Sequence, residues 1–313
     1  MVISFFNLDQ AGREVAREKL SGNTLRFFDG TLNVTDKEAY RDSDILCITP
    51  KSVATADVLR NCENLKYVVT RSTGTDHIDA AYCKEKGVGV MSAVYYGGIS
   101  VAEYQFALLL NLTRKVSLAQ ETVKAKGFVK SGLQGTDLYG KTLGVIGYGN
   151  IGKKVETIAR AFGMHVLIST RSRDGKDPKF VLLKDLLQSA DVISLNIPLT
   201  DETYHMLDRE AFQNMKDGVI ILNTARGEVI DTDSLIEALE SKKVKAAALD
   251  VVEGEQYLRG DFGSKSEIDR ARSSLKALLS FDNVIVSPHV AYNSAEAVER
   301  ILEETIDNIR SVL

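Results

Sequence analysis

Three glycines in the middle of the chain form a pattern that suits phosphate binding. Gly147, Gly149 and Gly152 make a GxGxxG motif between an apolar strand and a helix-like segment. The first glycine of such a motif allows a tight turn, the second lets backbone N–H groups approach a pyrophosphate, and the third brings helix and strand close together. The motif predicts a dinucleotide site; the alternative is an ordinary strand-to-helix turn that needs small residues.

The end of the next strand bears on which dinucleotide is bound. An NAD site usually places Asp or Glu about 20 residues after the glycines, where it binds the adenosine ribose hydroxyls. Here that position falls at Ser169 or Thr170, and Arg171 and Arg173 follow. Guanidinium groups match phosphate oxygens, which a carboxylate would repel. We therefore expect NADP(H) to be preferred and NAD(H) to be possible; the alternative is a solvated basic turn that tolerates either cofactor.

Four polar residues follow the later strands, at the ends where open α/β sheets bind ligands. They are Arg226, Asp250, Glu255 and His289. Taken singly, such residues usually face solvent or cap a turn. Together, His289 could exchange a hydroxyl proton, Glu255 could stabilise the imidazolium, and Arg226 could bind a carboxylate and polarise the adjacent carbonyl. The set suits reversible hydride transfer at a carbinol carbon.

The elements that must position these residues alternate between strand and helix, which predicts βαβ units and parallel sheets. In the first part of the chain, strands are predicted at 2–6, 25–28, 45–49, 67–70 and 88–91. An apolar helix is then predicted to bridge into a second domain, with one face formed by Val101, Tyr104, Leu108, Leu112 and Val116. The alternation resumes at a strand over 143–146, and the last segment, 295–313, is predicted to be a helix.

Length and composition indicate an ordinary globular protein of about two domains. The 313 residues are 44% hydrophobic and 26% charged, with a net charge of −4, which disfavours nucleic acid as a partner. No apolar run is long enough to cross a membrane, and the first residues do not resemble a signal peptide, so a cytoplasmic location is expected. Cys47, Cys62 and Cys83 have no spacing that suggests a disulfide or a metal site.

Several ordered segments resemble the D-isomer-specific 2-hydroxyacid dehydrogenase family over nearly the whole chain. They are RSTGTDHID at 71–79, VAEYQFALLL, GKTLGVIGYGNIG, LNIPLTDET at 195–203, NTARGEVIDTDSLIEAL, ALDVVEGE and SPHVAYNSAEA. The resemblance implies an α/β protein with two Rossmann-like or flavodoxin-like domains and parallel sheets. The dinucleotide-binding domain, 100–289, would be inserted into a substrate domain formed by 1–99 and 290–313. It also implies a homodimer with its interface in 100–140, although that helix could instead pack within one subunit.

The same resemblance implies roles for individual residues. The catalytic Arg, Glu and His fall on Arg226, Glu255 and His289; Glu253 competes with Glu255, but the distance along the chain from Arg226 favours Glu255. Backbone N–H groups of Thr73 and Gly74 would bind the substrate carboxylate. Together with the glycine motif, the resemblance predicts cofactor contacts at Gly147, Tyr148, Gly149, Asn150, Ile151, Gly152, Thr170, Arg171, Ser172, Arg173, Asn196, Ile197, Pro198, Thr203, Thr224, Ala225, Arg226, Asp250 and His289. No metal ligand is predicted.

Within the family, the residues near the substrate and the residues near the cofactor resemble different kinds of enzyme. The segment between Glu255 and His289 and the SPHVAYNS sequence look most like the D-lactate dehydrogenase branch. Tyr96 and Tyr292 would then line the substrate pocket, or alternatively pack at a hinge between the domains. NAD-using members of that branch carry Asp at the place of Thr170, whereas TRSR looks like NADP-using glyoxylate and hydroxypyruvate reductases. The substrate is therefore left open among pyruvate, glyoxylate and hydroxypyruvate types.

Two alternatives to a 2-oxo acid reductase were weighed. A formate- or phosphite-type dehydrogenase of the same superfamily would use the same dinucleotide domain, but formate enzymes lack the Glu. A non-catalytic dinucleotide-sensing protein would bind the cofactor without turnover, but the three catalytic residues are all present.

Overall fold

The protein folds into two compact units. The structure, a computed structural model, describes residues 1–33, 37–171, 177–259 and 263–313. Unit 1 consists of Met1–Gly97 and Asn293–Leu313, and unit 2 consists of Gly98–Tyr292. The chain therefore leaves unit 1 once, builds unit 2, and returns to unit 1 for its last helix.

Unit 1 contains a parallel sheet with the strand order β2-β1-β3-β4-β5. Its strands are β1 (Val2–Phe6), β2 (Thr24–Phe28), β3 (Ile45–Ile48), β4 (Tyr67–Thr70) and β5 (Gly89–Ser92). Its helices are α1 (Gln10–Lys19), α2 (Lys37–Tyr40), α3 (Ala56–Leu59), α4 (Ala80–Lys86) and α13 (Ala295–Arg310). Ile306 and Ile309 of α13 are buried in one apolar cluster with Ile3 and Phe5 of β1, so the C-terminal helix is part of the core of unit 1.

Unit 2 contains a second parallel sheet with the order β11-β10-β9-β8-β6-β7. Its strands are β6 (Thr142–Ile146), β7 (His165–Ser169), β8 (Val192–Leu195), β9 (Val219–Asn223), β10 (Val244–Leu249) and β11 (Val284–Val286). Its α-helices are α5 (Gly98–Arg114), α6 (Val116–Lys126), α7 (Asn150–Ala161), α8 (Leu183–Ser189), α9 (Arg209–Asn214), α10 (Thr232–Glu240), α11 (Glu255–Arg259) and α12 (Lys265–Leu279), and a 3₁₀ turn covers Gly227–Val229. The predicted class, α/β with parallel sheets, is confirmed.

The strand order of unit 2 creates a crevice. From β6 the chain moves to β7 on one side, whereas β8 pairs with β6 on the other side. Such a switch point leaves the carboxyl ends of the two central strands uncovered, and open α/β sheets bind ligands there. The glycine motif follows β6, and Asn196 follows β8. The fold thus places two predicted cofactor segments side by side.

One helix prediction was too long. The helix predicted to reach Val116 ends at Arg114, because Lys115 has a left-handed backbone (φ 54°) that turns the chain into α6. Val116 was predicted to share one face of this helix with Val101 and Leu108, but it begins α6, a helix without buried residues, and is 59% exposed. The helical spacing of apolar residues continues in the sequence past Lys115, although the chain changes direction there. The spacing alone therefore did not predict the end of the helix.

The remaining expectations from composition concern cysteines and membranes. All three cysteines are buried and free, and burial raises the pKa of the Cys47 thiol to about 11 and that of the Cys62 thiol to about 12. These two thiols are therefore protonated at neutral pH. Within the described residues, no helix combines the length and the apolar character that a membrane span needs.

Candidate active site

A histidine and a carboxylate form a close pair in unit 2. His289 Nδ1 lies 2.7 Å from Glu255 Oε1, and the side chains are 26% and 20% exposed. Because a carboxylate can only accept, Nδ1 carries a proton in this pair. The other ring nitrogen, Nε2, has no hydrogen-bond partner among the described residues. A histidine held in this way can exchange a proton through Nε2 while the carboxylate stabilises its charged form.

Glu253 and Glu255, the two candidates for the catalytic glutamate, have different partners in the structure. Glu253 Oε1 lies 2.9 Å from His205 Nε2, so this residue forms a separate histidine pair. Glu255 begins α11, and its N–H donates to Val252 O at 3.1 Å. The geometry therefore places Glu255, and not Glu253, beside His289.

A buried aspartate holds the turn that carries His289. Asp250 is 1% exposed, and its carboxylate accepts hydrogen bonds from Ser287 Oγ (2.6 Å) and from the N–H groups of Val290 (2.9 Å) and Ala291 (2.8 Å). Its carbonyl also accepts the His289 N–H at 2.8 Å. These bonds offset the left-handed backbone of His289, with φ 56°, which is unfavourable for a residue with a side chain. The predicted contact of Asp250 with the cofactor carboxamide stays a prediction.

The segment that carries Arg226 is fixed from both sides. Asn223 Nδ2 donates to Arg226 O at 2.8 Å, and Asn223 Oδ1 accepts the Ala225 N–H at 3.0 Å. On the other side, a Cβ atom at Gly227 would lie 2.1 Å from the carbonyl carbon of Val252, so only glycine allows this approach. The segment with Arg226 and the segment before Glu255 are therefore in direct backbone contact.

The glycine motif has the geometry that a pyrophosphate requires. Gly147 has φ 91°, and a Cβ atom there would lie 2.3 Å from Asn196 O; a Cβ atom at Gly152 would lie 2.2 Å from Gly147 O. Around Gly149, by contrast, no atom of the described residues other than its chain neighbours lies within 4 Å of the Cβ position, so this space is open. No side chain caps the first turn of α7, which Asn150 and Ile151 begin. Its N–H groups are therefore available to a bound anion, and a dinucleotide fits this cradle.

A charged cluster anchors the side chain that projects from the glycine motif. Tyr148 Oη donates to Glu156 Oε2, Arg160 Nε donates to Glu156 Oε1 at 2.9 Å, and Lys179 Nζ lies 3.2 Å from the same oxygen. The Glu156 side chain is only 9% exposed. Burial alone would raise the pKa of this carboxyl, but the donated hydrogen bonds outweigh burial and hold the pKa below its ordinary value.

The substitution Glu156→Gln should destabilise the protein in a pH-dependent way. At pH 7 we expect the free energy of unfolding to fall by about 1–3 kcal/mol, because charged hydrogen bonds are lost. A carboxyl whose pKa is lowered by folding stabilises the fold above its unfolded pKa, and this stabilisation disappears as the pH falls through the folded pKa. Denaturant unfolding of both proteins from pH 7 to pH 3 should therefore show the difference shrinking with acid. The exposed Glu121→Gln substitution serves as control, and a difference that stays constant with pH would contradict the prediction.

The predicted adenosine end of the cofactor site has no carboxylate at the strand terminus. Thr170 follows β7, and Arg171 is 82% exposed, with Glu202 at 3.6 Å as a similarly exposed partner. Ion pairs this exposed contribute little, so the guanidinium group can rearrange toward a ligand. Ser172 and Arg173, the other predicted contacts here, lie outside the described residues.

The remaining predicted cofactor residues of unit 2 follow β8. Ile197 lies beside the glycine motif, since its Cγ2 is 2.6 Å from the position that a Cβ atom of Gly147 would take. Thr203 Oγ1 donates to Pro198 O at 2.7 Å and accepts the Thr200 N–H at 2.8 Å. This turn keeps Ile197 and Pro198 next to the switch point.

The predicted substrate residues occupy different places. Thr73 and Gly74 follow β4 in unit 1, and their backbone N–H groups have no acceptor among the described residues. Tyr96, also in unit 1, is 8% exposed and packs with Ala93 and Ala297, and its place in the substrate pocket stays a prediction. Tyr292 is 36% exposed and is the last residue of unit 2.

Four polar residues that support the site were not predicted: Gln105, Ser194, Asn223 and Ser287. Each is joined by hydrogen bonds to a predicted site residue. For Gln105 the sequence held a signal, since this residue lies four positions after Val101 and three before Leu108, on the face predicted to be apolar. A polar side chain on such a face requires hydrogen-bond partners when it is buried. The others lie at strand ends where nothing in the pattern marked them.

Comparison with known proteins places the chain in a family. Residues 106–291 match the NAD-binding domain of the D-isomer specific 2-hydroxyacid dehydrogenases. A hydroxypyruvate reductase of Thermotoga maritima is 39% identical over 288 residues, which cover 89% of this chain and 90% of the relative. The crystal structure of D-lactate dehydrogenase from Aquifex aeolicus, complexed with NAD and lactic acid, has a TM-score of 0.89 at 33% identity and covers 99% of this chain and 95% of its own. An acyclic imino acid reductase in complex with NADPH and D-Arg has a TM-score of 0.82 at 27% identity, with coverage of 100% and 97%.

The chain belongs to the D-isomer specific 2-hydroxyacid dehydrogenase family, in its D-lactate dehydrogenase-like branch. It is an oxidoreductase that uses a nicotinamide dinucleotide and acts on 2-oxo and 2-hydroxy acids. The family, the fold class and the reaction class predicted from the sequence are thereby confirmed.

Proposed function

We propose that the protein reduces a small 2-oxo acid to the D-2-hydroxy acid, with His289 as the acid that delivers the proton and with NADP(H) as the preferred cofactor. The observation that carries this proposal is the hydrogen bond of 2.7 Å between His289 Nδ1 and Glu255 Oε1. It leaves Nε2 of the ring to act on a substrate.

Each group of the site has one task in this reaction. The reduced nicotinamide, when bound, supplies the hydride that reaches the keto carbon. His289 Nε2 donates the proton that the oxo oxygen takes up, and Glu255 stabilises the imidazolium before this transfer. Arg226 binds the substrate carboxylate and draws electron density from the adjacent oxygen. In the reverse direction His289 accepts the hydroxyl proton.

The size of the substrate is proposed from the relatives. Their names include hydroxypyruvate reductase and D-lactate dehydrogenase. Pyruvate, glyoxylate and hydroxypyruvate are therefore the first acids to try, and aromatic acids come next because other relatives are aromatic 2-oxoacid reductases.

The preference for NADP(H) rests on residues of this chain. No acid occurs from Ser169 to Arg171, and Arg171 is exposed at the end of β7. The two structural relatives described above hold NAD in one case and NADPH in the other, so the shared fold accommodates both. The local charge at the strand end then decides, and a cation favours the ribose phosphate.

The domain roles are proposed in the same way. Unit 2 serves as the dinucleotide domain, since the family match to residues 106–291 lies within it. Unit 1 serves as the substrate domain, with the N–H groups of Thr73 and Gly74 as donors to the substrate carboxylate.

Initial rates on a panel of acids test the proposed function. The panel contains pyruvate, glyoxylate, hydroxypyruvate and phenylpyruvate with NADH and NADPH in parallel, and formate and phosphite with the oxidised cofactors. We expect turnover with at least one 2-oxo acid and a higher kcat/KM with NADPH. Turnover of formate or phosphite alone, or cofactor binding without any turnover, would replace the proposal by one of the two alternatives.

We further propose a homodimer that uses α6 and the segment after it. Val116 and Phe128 are 59% and 101% exposed, and α6 buries none of its side chains within the chain. Exposed apolar groups clustered in this way are typical of an interface. Sedimentation equilibrium should give twice the mass of the chain, and Phe128→Glu should shift the mass toward the monomer. A cytoplasmic location and the absence of nucleic-acid partners stay predictions from the sequence.

A further inference from the structure

Gln105 is a fully buried polar residue in the middle of α5, with 0% exposure. Its amide nitrogen donates to Asn196 Oδ1 at 2.9 Å and to Thr224 Oγ1 at 2.8 Å. Its amide oxygen accepts the hydroxyl of Ser194 at 2.5 Å. One side chain of the helix is thus bonded to residues at the carboxyl ends of two strands, β8 and β9.

Three of these residues form a closed ring of hydrogen bonds. Asn196 Nδ2 donates to Ser194 Oγ at 2.8 Å, Ser194 Oγ donates to Gln105 Oε1, and Gln105 Nε2 donates back to Asn196 Oδ1. Asn196 Nδ2 also donates to Ser194 O at 3.3 Å, and because a carbonyl oxygen can only accept, this contact fixes the direction of each bond in the ring. Buried networks in which every polar group is satisfied hold their side chains in one arrangement.

The ring determines what the Thr224 hydroxyl can do. The second hydrogen of Gln105 Nε2 points into Thr224 Oγ1, so this oxygen acts as an acceptor on the side of α5. The hydroxyl proton of Thr224 therefore cannot point toward Gln105 and is directed elsewhere as a donor. Thr224 directly follows β9, among the residues predicted to contact the cofactor.

The backbone of Asn196 lies beside the glycine motif and is held there by a bond outside the ring. Asn196 N–H donates to Ile146 O at 2.7 Å, which ties Asn196 to the end of β6. The carbonyl oxygen of Asn196 is the atom that leaves no space for a Cβ atom at Gly147. Because this backbone bond does not involve Gln105, the tight turn of the pyrophosphate cradle should remain when the Gln105 side chain is replaced.

We propose that Gln105 is a positioning residue for the nicotinamide dinucleotide: it orients the Thr224 hydroxyl as a hydrogen-bond donor toward the bound cofactor. The inference rests on the proposed role of Thr224 as a cofactor contact. It does not depend on which acid is reduced. Gln105 itself touches neither cofactor nor substrate and acts through Thr224.

A double-mutant cycle on cofactor affinity tests this role. Isothermal titration calorimetry measures the Kd of NADPH and of NADH, without substrate, for the wild type, Gln105→Met, Thr224→Val and the combination. Each single substitution should raise the Kd by roughly 3- to 10-fold, the range expected for one hydrogen bond. In the Thr224→Val background, Gln105→Met should add a factor close to one, because the hydroxyl that Gln105 orients is gone.

Two further variants separate orientation from loss of packing. Thr224→Ser retains the hydroxyl and should retain both the wild-type Kd and the full sensitivity to Gln105→Met. Thr113→Val removes another buried hydroxyl of α5, whose one partner among the described residues is Leu109 O, and should leave the Kd unchanged. Circular dichroism verifies that each variant is folded; if Gln105→Met does not fold, the near-isosteric Gln105→Glu takes its place and should raise the Kd in the same way.

The outcomes distinguish this inference from the proposed function. An unchanged Kd for the folded Gln105 variant, or an undiminished effect in the Thr224→Val background, overturns the positioning role. Coupling between the two sites together with no turnover on the acid panel leaves the inference in place and overturns the proposed reaction. Absence of any dinucleotide binding by the wild type overturns both.

Discussion

Replacing His289 by Gln should lower kcat for 2-oxo acid reduction by about 10²- to 10⁴-fold, the contribution that a positioned general acid makes. Gln can still accept or donate a hydrogen bond near Glu255, but it has no proton to deliver at neutral pH. The site is then left with hydride transfer to an oxo group whose developing charge only Arg226 stabilises. Stopped-flow measurement of nucleotide oxidation at saturating substrate gives this rate directly.

Cofactor affinity should survive the same substitution. The residues proposed to hold the pyrophosphate belong to the glycine motif, and the turn of His289 is fixed separately by the Asp250 carboxylate. The Kd of NADPH for His289→Gln should therefore stay within about 3-fold of the wild type, less than one hydrogen bond contributes. The matched control is His165→Gln, which alters an exposed histidine at the start of β7. Wild-type turnover by His289→Gln would remove this residue from the mechanism.

The hydrogen-bonded pair of His289 and Glu255 illustrates what a sequence of this kind predicts well. The separations in sequence between Arg226, Glu255 and His289 match a family pattern. Each of these residues follows a strand of a parallel sheet. Since carboxyl ends of parallel strands lie on one edge, residues far apart in the chain were expected to come together. The structure shows the expected contact, a hydrogen bond between Glu255 and His289. It also distinguishes Glu255 from Glu253, which pairs with His205.

The polar groups behind the site were harder to predict. The carboxylate of Asp250 is bonded to Ser287, Val290 and Ala291, and these bonds depend on the shape of a turn that no residue type indicated. Gln105 finds its partners on β8 and β9, about 90 and 120 residues further along the chain. The spacing of apolar residues predicts which face of a helix is buried. It does not predict which residues pack against that face.

The break between α5 and α6 has a similar cause. Lys115 adopts a left-handed backbone, which most residue types avoid and glycine favours. A local pattern of apolar residues every three or four positions continued through it, so the sequence favoured one helix where the structure has two. Tertiary context decided the outcome there.

The proposed preference for NADP(H) gives the second large effect, through the substitution Thr170→Asp. A carboxylate at the end of β7 would face the ribose phosphate of NADP(H) and repel it, whereas it would accept hydrogen bonds from the ribose hydroxyls of NAD(H). One charged hydrogen bond contributes about 1.5–3 kcal/mol, so the ratio of kcat/KM for NADPH to that for NADH should fall by roughly 10- to 150-fold. Initial rates with both cofactors at several concentrations, on the best acid of the panel, measure this ratio.

Two companion variants show whether this effect arises from local charge. Thr157→Asp adds the same charge at an exposed position of α7 and should leave the ratio unchanged. Arg171→Ala should lower the affinity for NADPH without raising the affinity for NADH, because it removes a cation and supplies no acceptor for the ribose hydroxyls. A Thr170→Asp variant with an unchanged ratio, together with a wild type that prefers NADH, would mean that Arg171 belongs to a solvated turn. The basic residues after β7 would then have no part in cofactor choice.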